Sequence, residues 1–168
     1  GGWSHHEKLY RQLTKVPMII KWPGGNHAGL RIQTPAELVD LRVSLMDLMG
    51  YRLPEPNHGQ SFFQWLEDEP EAGVMAFGED PSGYRMARGR EWAFIERPAA
   101  TGVSEELYSS DDREEDENRA DAQKSTVIEM REKVRAWEER VAADSYGSTR
   151  IESDENRLQQ MRNLGYIR

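Results

Sequence analysis

A run of mostly apolar residues at positions 16–22 (VPMIIKW) follows a short polar stretch and is closed by Pro23-Gly24-Gly25. A continuous apolar run of this length, bounded by turn residues, is typical of a strand that is buried on both faces. Pro17 weakens the pattern, because proline lacks the N–H that a strand ladder needs and favours edge positions. The sequence nevertheless predicts one strand over residues 16–22.

The clearest helical pattern begins at Thr34. In Thr34-Pro35-Ala36-Glu37, an N-cap threonine is followed by a proline at the first helical position and by a glutamate three residues after the cap. Together these residues predict a capping box. Leucines then recur at helical spacing, at positions 38, 41, 45 and 48, and Gly50 is the expected stop. A second, shorter helix is predicted over residues 61–67.

Between residues 74 and 95 the pattern changes to three short segments of strand character, which read VMAF, YRMAR and EWAFI. Gly89 lies in the turn between the last two, and the three segments predict an antiparallel meander. The acidic tract that follows, over residues 111–121 (DDREEDENRAD), is interpreted as a solvated loop.

Residues 122–143 carry the second clear helical pattern, with apolar residues at alternating steps of three and four. One stripe of the predicted helix therefore contains Val127, Met130, Val134, Trp137 and Val141. Such a stripe is typical of a surface helix that packs on a sheet. A last short helix is predicted over residues 153–164.

These elements predict a fold between the α/β and α+β classes, in two parts. Residues 1–72 would hold one strand and one helix. Residues 73–168 would hold a small antiparallel sheet packed by a long C-terminal helix.

The composition narrows the possible functions. The chain of 168 residues has the length of one domain, but its apolar content of 37% stands beside 31% charged residues, so its core is lean or shared. A net charge of −8 argues against a protein that binds the phosphate backbone of nucleic acids. No stretch has the apolar length of a bilayer span. Cysteine is absent, which excludes disulfides, thiolate metal sites and a cysteine-derived nucleophile within this chain.

The histidines are the first candidates for chemistry, at positions 5, 6, 27 and 58. No two of them have the i, i+4 spacing of a helical zinc pair, and an adjacent pair such as His5 and His6 is ordinarily found in a surface loop. The GxSxG, P-loop, Rossmann glycine and CxxC patterns are all absent. From residue types and spacing alone, the sequence indicates an α+β domain without an assigned mechanism.

Six stretches, in order along nearly the whole chain, resemble the C-terminal third of sulfatases in the alkaline-phosphatase-like superfamily. They lie at residues 6–24 (HEKLY…VPMIIKWPG), 34–50 (TPAELVDL…LMDLMG), 59–63 (GQSFF), 84–95 (YRMAR…WAFI), 106–121 (ELY…NRAD) and 164–167 (LGYI). Each stretch alone is weak, but six in the same order indicate kinship. The chain departs from the family pattern at three places. Val43 stands where the family has a proline, His58 where the family often has an aspartate, and Asp112-Arg113 where the family has a DP turn.

The resemblance implies a part of a sulfuric ester hydrolase that acts on an aryl or carbohydrate sulfate. Complete sulfatases use a formylglycine nucleophile, made within a C/S-x-P-x-R motif, and a divalent cation, usually calcium. Neither that motif nor the metal-binding motifs of the family occur in this sequence. By this resemblance the chain contains no catalytic nucleophile and no metal ligand, and both would lie in a missing N-terminal part.

The resemblance also implies one substrate-binding residue in the chain. The family has a Lys or His that contacts the sulfate, four positions before the tyrosine of its LYEE motif, and this position is His6. A protonated imidazole there would donate to a sulfate oxygen and offset the charge that develops on the ester oxygen. His5 and Lys8 are the neighbours that would take this role if the loop is shifted. The alternative is that these residues only form a surface loop, as we expect for His27 and His58.

Two other functions stay open: a non-catalytic module that binds a sulfated ligand or a protein partner, and a part of a related phosphonate or phosphodiester hydrolase.

The expected partners are a sulfate ester and the missing N-terminal catalytic part. Self-association is the alternative, because a strand at 16–22 without neighbours would expose both edges and an apolar face. Sulfatases of this type are often exported, so a periplasmic or extracellular location is expected.

Overall fold

The computed structural model describes residues 9–54 and 57–143. In chain order, the helices and strands are α1 (Arg11–Thr14), α2 (Leu38–Leu48), β1 (Ala76–Glu79), β2 (Arg85–Arg88), β3 (Trp92–Ala99), β4 (Gly102–Ser109) and α3 (Lys124–Ala143). Short 3-10 turns occur at Pro23–Gly25 and Phe63–Leu66. The predicted combination of a small antiparallel sheet and a long C-terminal helix is confirmed. The predicted division into residues 1–72 and 73–168 stays a prediction.

The four strands form one antiparallel sheet in the order β1-β2-β3-β4. Its inner face, which faces α3, carries Phe94 between its cross-strand neighbours Ala87 and Leu107. Because side chains alternate along a strand, the next residues belong to the opposite, outer face. The outer face has a second apolar cluster, formed by Met86, Ala93, Ile95 and Tyr108.

Helix α3 packs on the inner face much as its sequence pattern predicts. Val127, Met130 and Val134 are buried in the same cluster as Phe94. One turn later, Trp137 stacks on Phe77 of β1 with a centroid distance of 5.5 Å and an interplanar angle of 7°. None of the helices in residues 9–54 and 57–143 is long and apolar enough to cross a bilayer. The helix predicted over residues 153–164 lies outside the described residues.

Strand β4 is a strand that the sequence pattern does not predict. Its sequence, GVSEELYS, contains two adjacent glutamates, which interrupt the alternation of apolar and polar residues. In the strand, Glu105 pairs with Arg131 on the inner face and Glu106 pairs with Arg97 on the outer face, so both carboxylates have cationic partners. β3 also continues past the predicted segment to Ala99, where the chain turns into β4. Ala99 pairs with Gly102, the first residue of β4, whose φ is 87°.

Helix α2 begins at Leu38, three residues after the predicted first helical position at Pro35. Glu37 is the N-cap, and its backbone N–H donates to Asp40 Oδ2 at 2.8 Å. Thr34 does not cap the helix because its hydroxyl donates to Glu69 Oε1 at 2.9 Å instead. The predicted stop at Gly50 is observed, with a φ of 75°. Of the short helix predicted over residues 61–67, only the 3-10 turn at Phe63–Leu66 is present.

The strand predicted over residues 16–22 is not formed. A buried strand needs neighbours along both of its edges, and none of the four described strands pairs with this segment. Its apolar side chains are instead exposed, as expected for a strand segment without neighbours: the exposed fraction is 66% for Val16, 50% for Met18, 93% for Ile19 and 48% for Ile20.

Two buried polar side chains of α2 hold the loop that follows it. Asp40 Oδ1 accepts a hydrogen bond from the Gln60 N–H at 2.8 Å, and Ser44 Oγ accepts one from the Phe62 N–H at 3.0 Å. The loop approaches the helix so closely that a Cβ on Gly59 would lie 2.7 Å from the backbone oxygen of Val39. Gly59 therefore permits these hydrogen bonds to form.

We expect Gly59→Ala to lower the free energy of unfolding by about 1–3 kcal/mol, because the added methyl group meets rigid backbone. Urea denaturation followed by circular dichroism and tryptophan fluorescence measures the change. Gly78→Ala is the matched control, since its Cβ would meet only the flexible side chain of Met86. Equal stability of the two variants would contradict the tight contact at Gly59.

Candidate functional site

The three predicted substrate-binding residues, His5, His6 and Lys8, lie outside the described residues, so their role stays a prediction. The description of the chain begins at Leu9, three positions after His6. His27 and His58 lie in loops and are exposed. His27 has a φ of 58° and meets the ring of Trp22 edge-on, at a centroid distance of 6.0 Å.

Residues 9–11 are joined to the outer face of the sheet, and Tyr10 makes the first connection. Its hydroxyl donates to Glu106 Oε2 at 2.8 Å, and the hydroxyl of Tyr108 donates to the same oxygen at 3.0 Å. Arg97 Nε lies 3.1 Å from Glu106 Oε1. Burial raises the pKa of both tyrosines, and the charge of Glu106 adds to the effect. Both hydroxyls therefore stay protonated and act as donors.

Arg11 makes the second connection, through its backbone. Its N–H donates to Glu115 Oε2 at 2.7 Å, while Arg88 Nη1 pairs with Glu115 Oε1 at the same distance. The guanidinium of Arg11 also donates to the carbonyl of Ser110 at 3.1 Å. The side chain of Glu115 is only 2% exposed, so this carboxylate is one of the buried charges of the structure.

The acidic tract is thus only partly the solvated loop that its sequence suggests. Asp112 shapes the turn by accepting hydrogen bonds from the N–H groups of Glu115 and Glu117, both at 3.0 Å. Asn118 Oδ1 accepts from the N–H of Leu107 at 3.1 Å and so attaches the tract to β4. The position of Asp112 in a turn is a recognisable signal, but nothing in the spacing distinguishes Glu115 from its exposed neighbours.

A second polar cluster lies between α3 and the inner face, around a cleft of about 380 Å³. It contains three arginines and three glutamates: Arg85, Arg131, Arg135, Glu96, Glu105 and Glu138. Arg131 binds Glu105 through two nitrogens, and Arg85 pairs with Glu138. Burial, with the nearby charge of Glu105, raises the pKa of Glu96. The cluster joins the helix to the sheet through paired charges.

The described residues do not provide a set of ligands for a metal ion. Residues 9–54 and 57–143 contain no group of three or more His, Asp or Glu side chains arranged to hold one. The sequence also contains no cysteine and no S-x-P-x-R motif, so it lacks both sources of a formylglycine. Neither of the two groups that the sulfatase resemblance implies fits the described part of this chain.

The chain is similar in sequence to a curated sulfatase. It is 26% identical over 102 residues to an N-acetylglucosamine-6-O-sulfatase of Bacteroides thetaiotaomicron, and the match covers 61% of this chain and 16% of the relative. No family model matches the chain. The sulfatase resemblance of the sequence is confirmed, and the chain matches only a small part of the relative's length.

Two solved structures are also similar to the chain. One, solved in complex with its substrate D-glucosamine-2-N,6-O-disulfate, has a TM-score of 0.49 and 16% identity, with 66% of this chain and 25% of that chain covered. The other, a 2-O GAG sulfatase, has a TM-score of 0.48 and 25% identity, with 70% and 27% covered. These TM-scores are too low to establish a shared fold.

We expect Glu115→Ala to lower the free energy of unfolding by about 3 kcal/mol, because it leaves the mostly buried guanidinium of Arg88 without its partner. Chemical denaturation measures the loss. Asp116→Ala removes the adjacent, exposed carboxylate and serves as the control. If both variants lose the same small amount, the acidic tract is a solvated loop throughout.

Proposed function

We propose that this chain is the C-terminal part of a sulfuric ester hydrolase, whose nucleophile and metal ligands lie outside it. The observation that carries the proposal is the 26% identity to an N-acetylglucosamine-6-O-sulfatase over 102 residues. The six ordered sequence stretches belong to the same sequence likeness and are consistent with it. The relative's name favours a sulfate ester on a carbohydrate over an aryl sulfate as the substrate class.

Within this function, His6 is the residue of the chain that contacts the sulfate, and His5 or Lys8 takes that place if the segment is shifted by a residue. A cationic imidazole stabilises charge that develops on the ester oxygen most strongly in a site from which water is excluded. Calcium and formylglycine belong, in this proposal, to the complete enzyme. A periplasmic or extracellular location goes with it.

The exposed apolar side chains of the chain support the proposal that it contacts the rest of a longer enzyme. In addition to the segment at residues 16–20, helix α2 exposes Leu38 at 77% and Leu48 at 54%, and the residue that follows the helix, Met49, is 57% exposed. Apolar patches of this kind mark interfaces or lead to association. In this proposal they face the catalytic part of the enzyme, and in the separate chain they drive self-association.

We expect Ile19→Asp to reduce the self-association of the 168-residue chain, because Ile19 is 93% exposed and a charge there opposes apolar contact. Sedimentation velocity over a range of concentrations measures it. Glu139→Gln changes an exposed residue of α3 and is the control. A wild-type chain that stays monomeric at every concentration and melts cooperatively would contradict the exposed interface.

The proposed sulfatase activity is tested on the natural protein. An intact mass well above 19.4 kDa, together with chelator-sensitive hydrolysis of N-acetylglucosamine 6-sulfate, is expected for a sulfatase of which this is a part. A natural protein of 19.4 kDa that binds the sulfated sugar without hydrolysing it would favour the non-catalytic module. Hydrolysis of phosphonate or phosphodiester substrates alone would favour the related hydrolases.

We expect His6→Ala in the natural protein to lower kcat by tenfold or more, since it removes a group that acts in the transition state. Steady-state kinetics on the sulfated sugar measure the effect. His58→Ala, in an exposed loop, is the control. Unchanged kinetics for His6→Ala would exclude His6 as the sulfate-contacting residue.

A further inference from the structure

Two nitrogens of Arg88 carry protons for which the described residues supply no acceptor. Its Nη1 pairs with Glu115 Oε1 at 2.7 Å, whereas its Nε and Nη2 are buried and have no hydrogen-bond partner within residues 9–54 and 57–143. Buried polar groups are nearly always hydrogen-bonded, and a charged donor without an acceptor is especially unfavourable. These two nitrogens therefore indicate an acceptor that comes from outside the described chain.

The two nitrogens lie on one edge of the guanidinium. The N–H groups of such an edge point in parallel, and their spacing matches two oxygens of a carboxylate, sulfate or phosphate group. The side chain of Arg88 is 17% exposed, so it lies close to the surface of the protein. Its cross-strand neighbour Ala93 belongs to the outer cluster of the sheet, which places Arg88 on the outer face. One oxyanion there would accept from both nitrogens.

Three further cations lie around Arg88. The backbone N–H of Arg11 donates to the carboxylate that Arg88 binds, at 2.7 Å from Glu115 Oε2. Lys15 follows one helical turn later, and its N–H donates to the Arg11 carbonyl at 2.9 Å. Arg113 lies two residues before Glu115. The positive charge of Arg11 is the main cause that lowers the pKa of Lys15, and partial desolvation and the charges of Arg113 and Arg88 lower it further.

This group of cations has few carboxylate partners. Within the part of the chain that the structure describes, neither Lys15 nor Arg113 forms an ion pair, although both are exposed and adjoin the acidic tract. Glu117 of that tract pairs with Arg119 instead, at 2.6 Å. Glu115 is thus the carboxylate that binds this group, and its contact with Nη1 leaves the other edge of the guanidinium to a ligand.

We propose that Arg88 binds a small oxyanion, such as a sulfate group, through its Nε and Nη2 edge. Arg11, Lys15 and Arg113 surround the bound group with positive charge, and Glu115 holds the guanidinium in place. Inorganic sulfate and a sulfated sugar present the same oxygens to this edge, so both are sources of the ligand. The proposal goes beyond the hydrolase proposed above and stands whether or not the protein hydrolyses a sulfate ester.

The test is a titration of the 168-residue chain with sodium sulfate, with sodium chloride at the same ionic strength as the reference. Two-dimensional NMR of the arginine Nε–H groups follows the binding, and the signal that Arg88→Lys removes is that of Arg88. We expect sulfate to shift this signal and to raise the pKa of Lys15, because a bound anion favours the charged form of the amine. Chloride is expected to do neither.

Three variants measure the contribution of each part by calorimetry. Arg88→Lys keeps a positive charge beside Glu115 but lacks the edge of two donors, so we expect it to weaken the sulfate affinity by about tenfold. Lys15→Gln removes one nearby charge at an exposed position and is expected to weaken it by about threefold, with the fold unchanged by circular dichroism. Lys21→Gln makes the same chemical change at another exposed lysine and is the matched control, expected to bind as the wild type does.

The site is overturned if sulfate leaves the Arg88 signal unshifted in the wild type or if chloride shifts it equally. It is also overturned if Lys21→Gln weakens the affinity as much as Lys15→Gln, because the binding is then unspecific screening of charge. A second titration, with N-acetylglucosamine 6-sulfate, identifies the source. Tighter binding than inorganic sulfate, with the same loss in Lys15→Gln, assigns the group to a sugar, and weaker binding assigns the free ion. A protein that shows this response without hydrolysing a sulfate ester would overturn the proposed function alone.

Discussion

Strand β3 has to bury both of its faces at once, and most of the described structure follows from that constraint. Ala93, Phe94 and Ile95 are consecutive and all at most 1% exposed. Because neighbouring side chains of a strand point to opposite faces, one layer of cover cannot bury all three. Helix α3 covers Phe94 on the inner face. The outer face is covered by Tyr108, Met86 and the segment at Leu9 and Tyr10.

The two faces differ in how they are closed. On the inner face a helix of 20 residues supplies three buried apolar side chains, and paired arginines and glutamates surround them. On the outer face the cover is a short segment with little apolar area, attached mainly by directed hydrogen bonds to Glu106 and Glu115. Apolar packing dominates the attachment of α3 to the inner face, whereas directed hydrogen bonds dominate the attachment of residues 10 and 11 to the outer face. The geometry of the outer face consequently depends on a few atoms.

What the sequence could predict follows the same division. The apolar stripe of α3 and the strand character of residues 84–95 are periodic signals, and the structure confirms both. Strand β4 could not be read from its pattern, because the glutamates that pair with Arg97 and Arg131 look like surface residues until those partners are known. The start of α2 was misplaced for a related reason: Thr34 carries an ordinary capping signal, but the distant Glu69 takes its hydroxyl.

The candidate site shows the same limit. Glu115 is indistinguishable in sequence from the exposed acids around it, and only the fold brings it to Arg88 and Arg11. The segment at residues 16–22 has the composition of a buried strand, and its local pattern alone therefore predicts one. Whether such a segment forms a strand depends on neighbours that lie elsewhere in space. Long-range partners, rather than local propensity, decide each of these cases.

The attachment of residues 10 and 11 also has a consequence for the order in which the protein is built. Their partners at Glu106 and Glu115 are 96 and 104 residues further along the chain, whereas the four strands pair through successive hairpins. Contacts of short sequence separation form sooner than those that close a long loop. The hairpins therefore assemble first, and the segment at residues 10 and 11 finds its place on the sheet after them. Until that segment docks, the outer face of β3 stays open to water and to other chains, so the form whose sheet has paired but whose outer face is still uncovered is the one most exposed to aggregation.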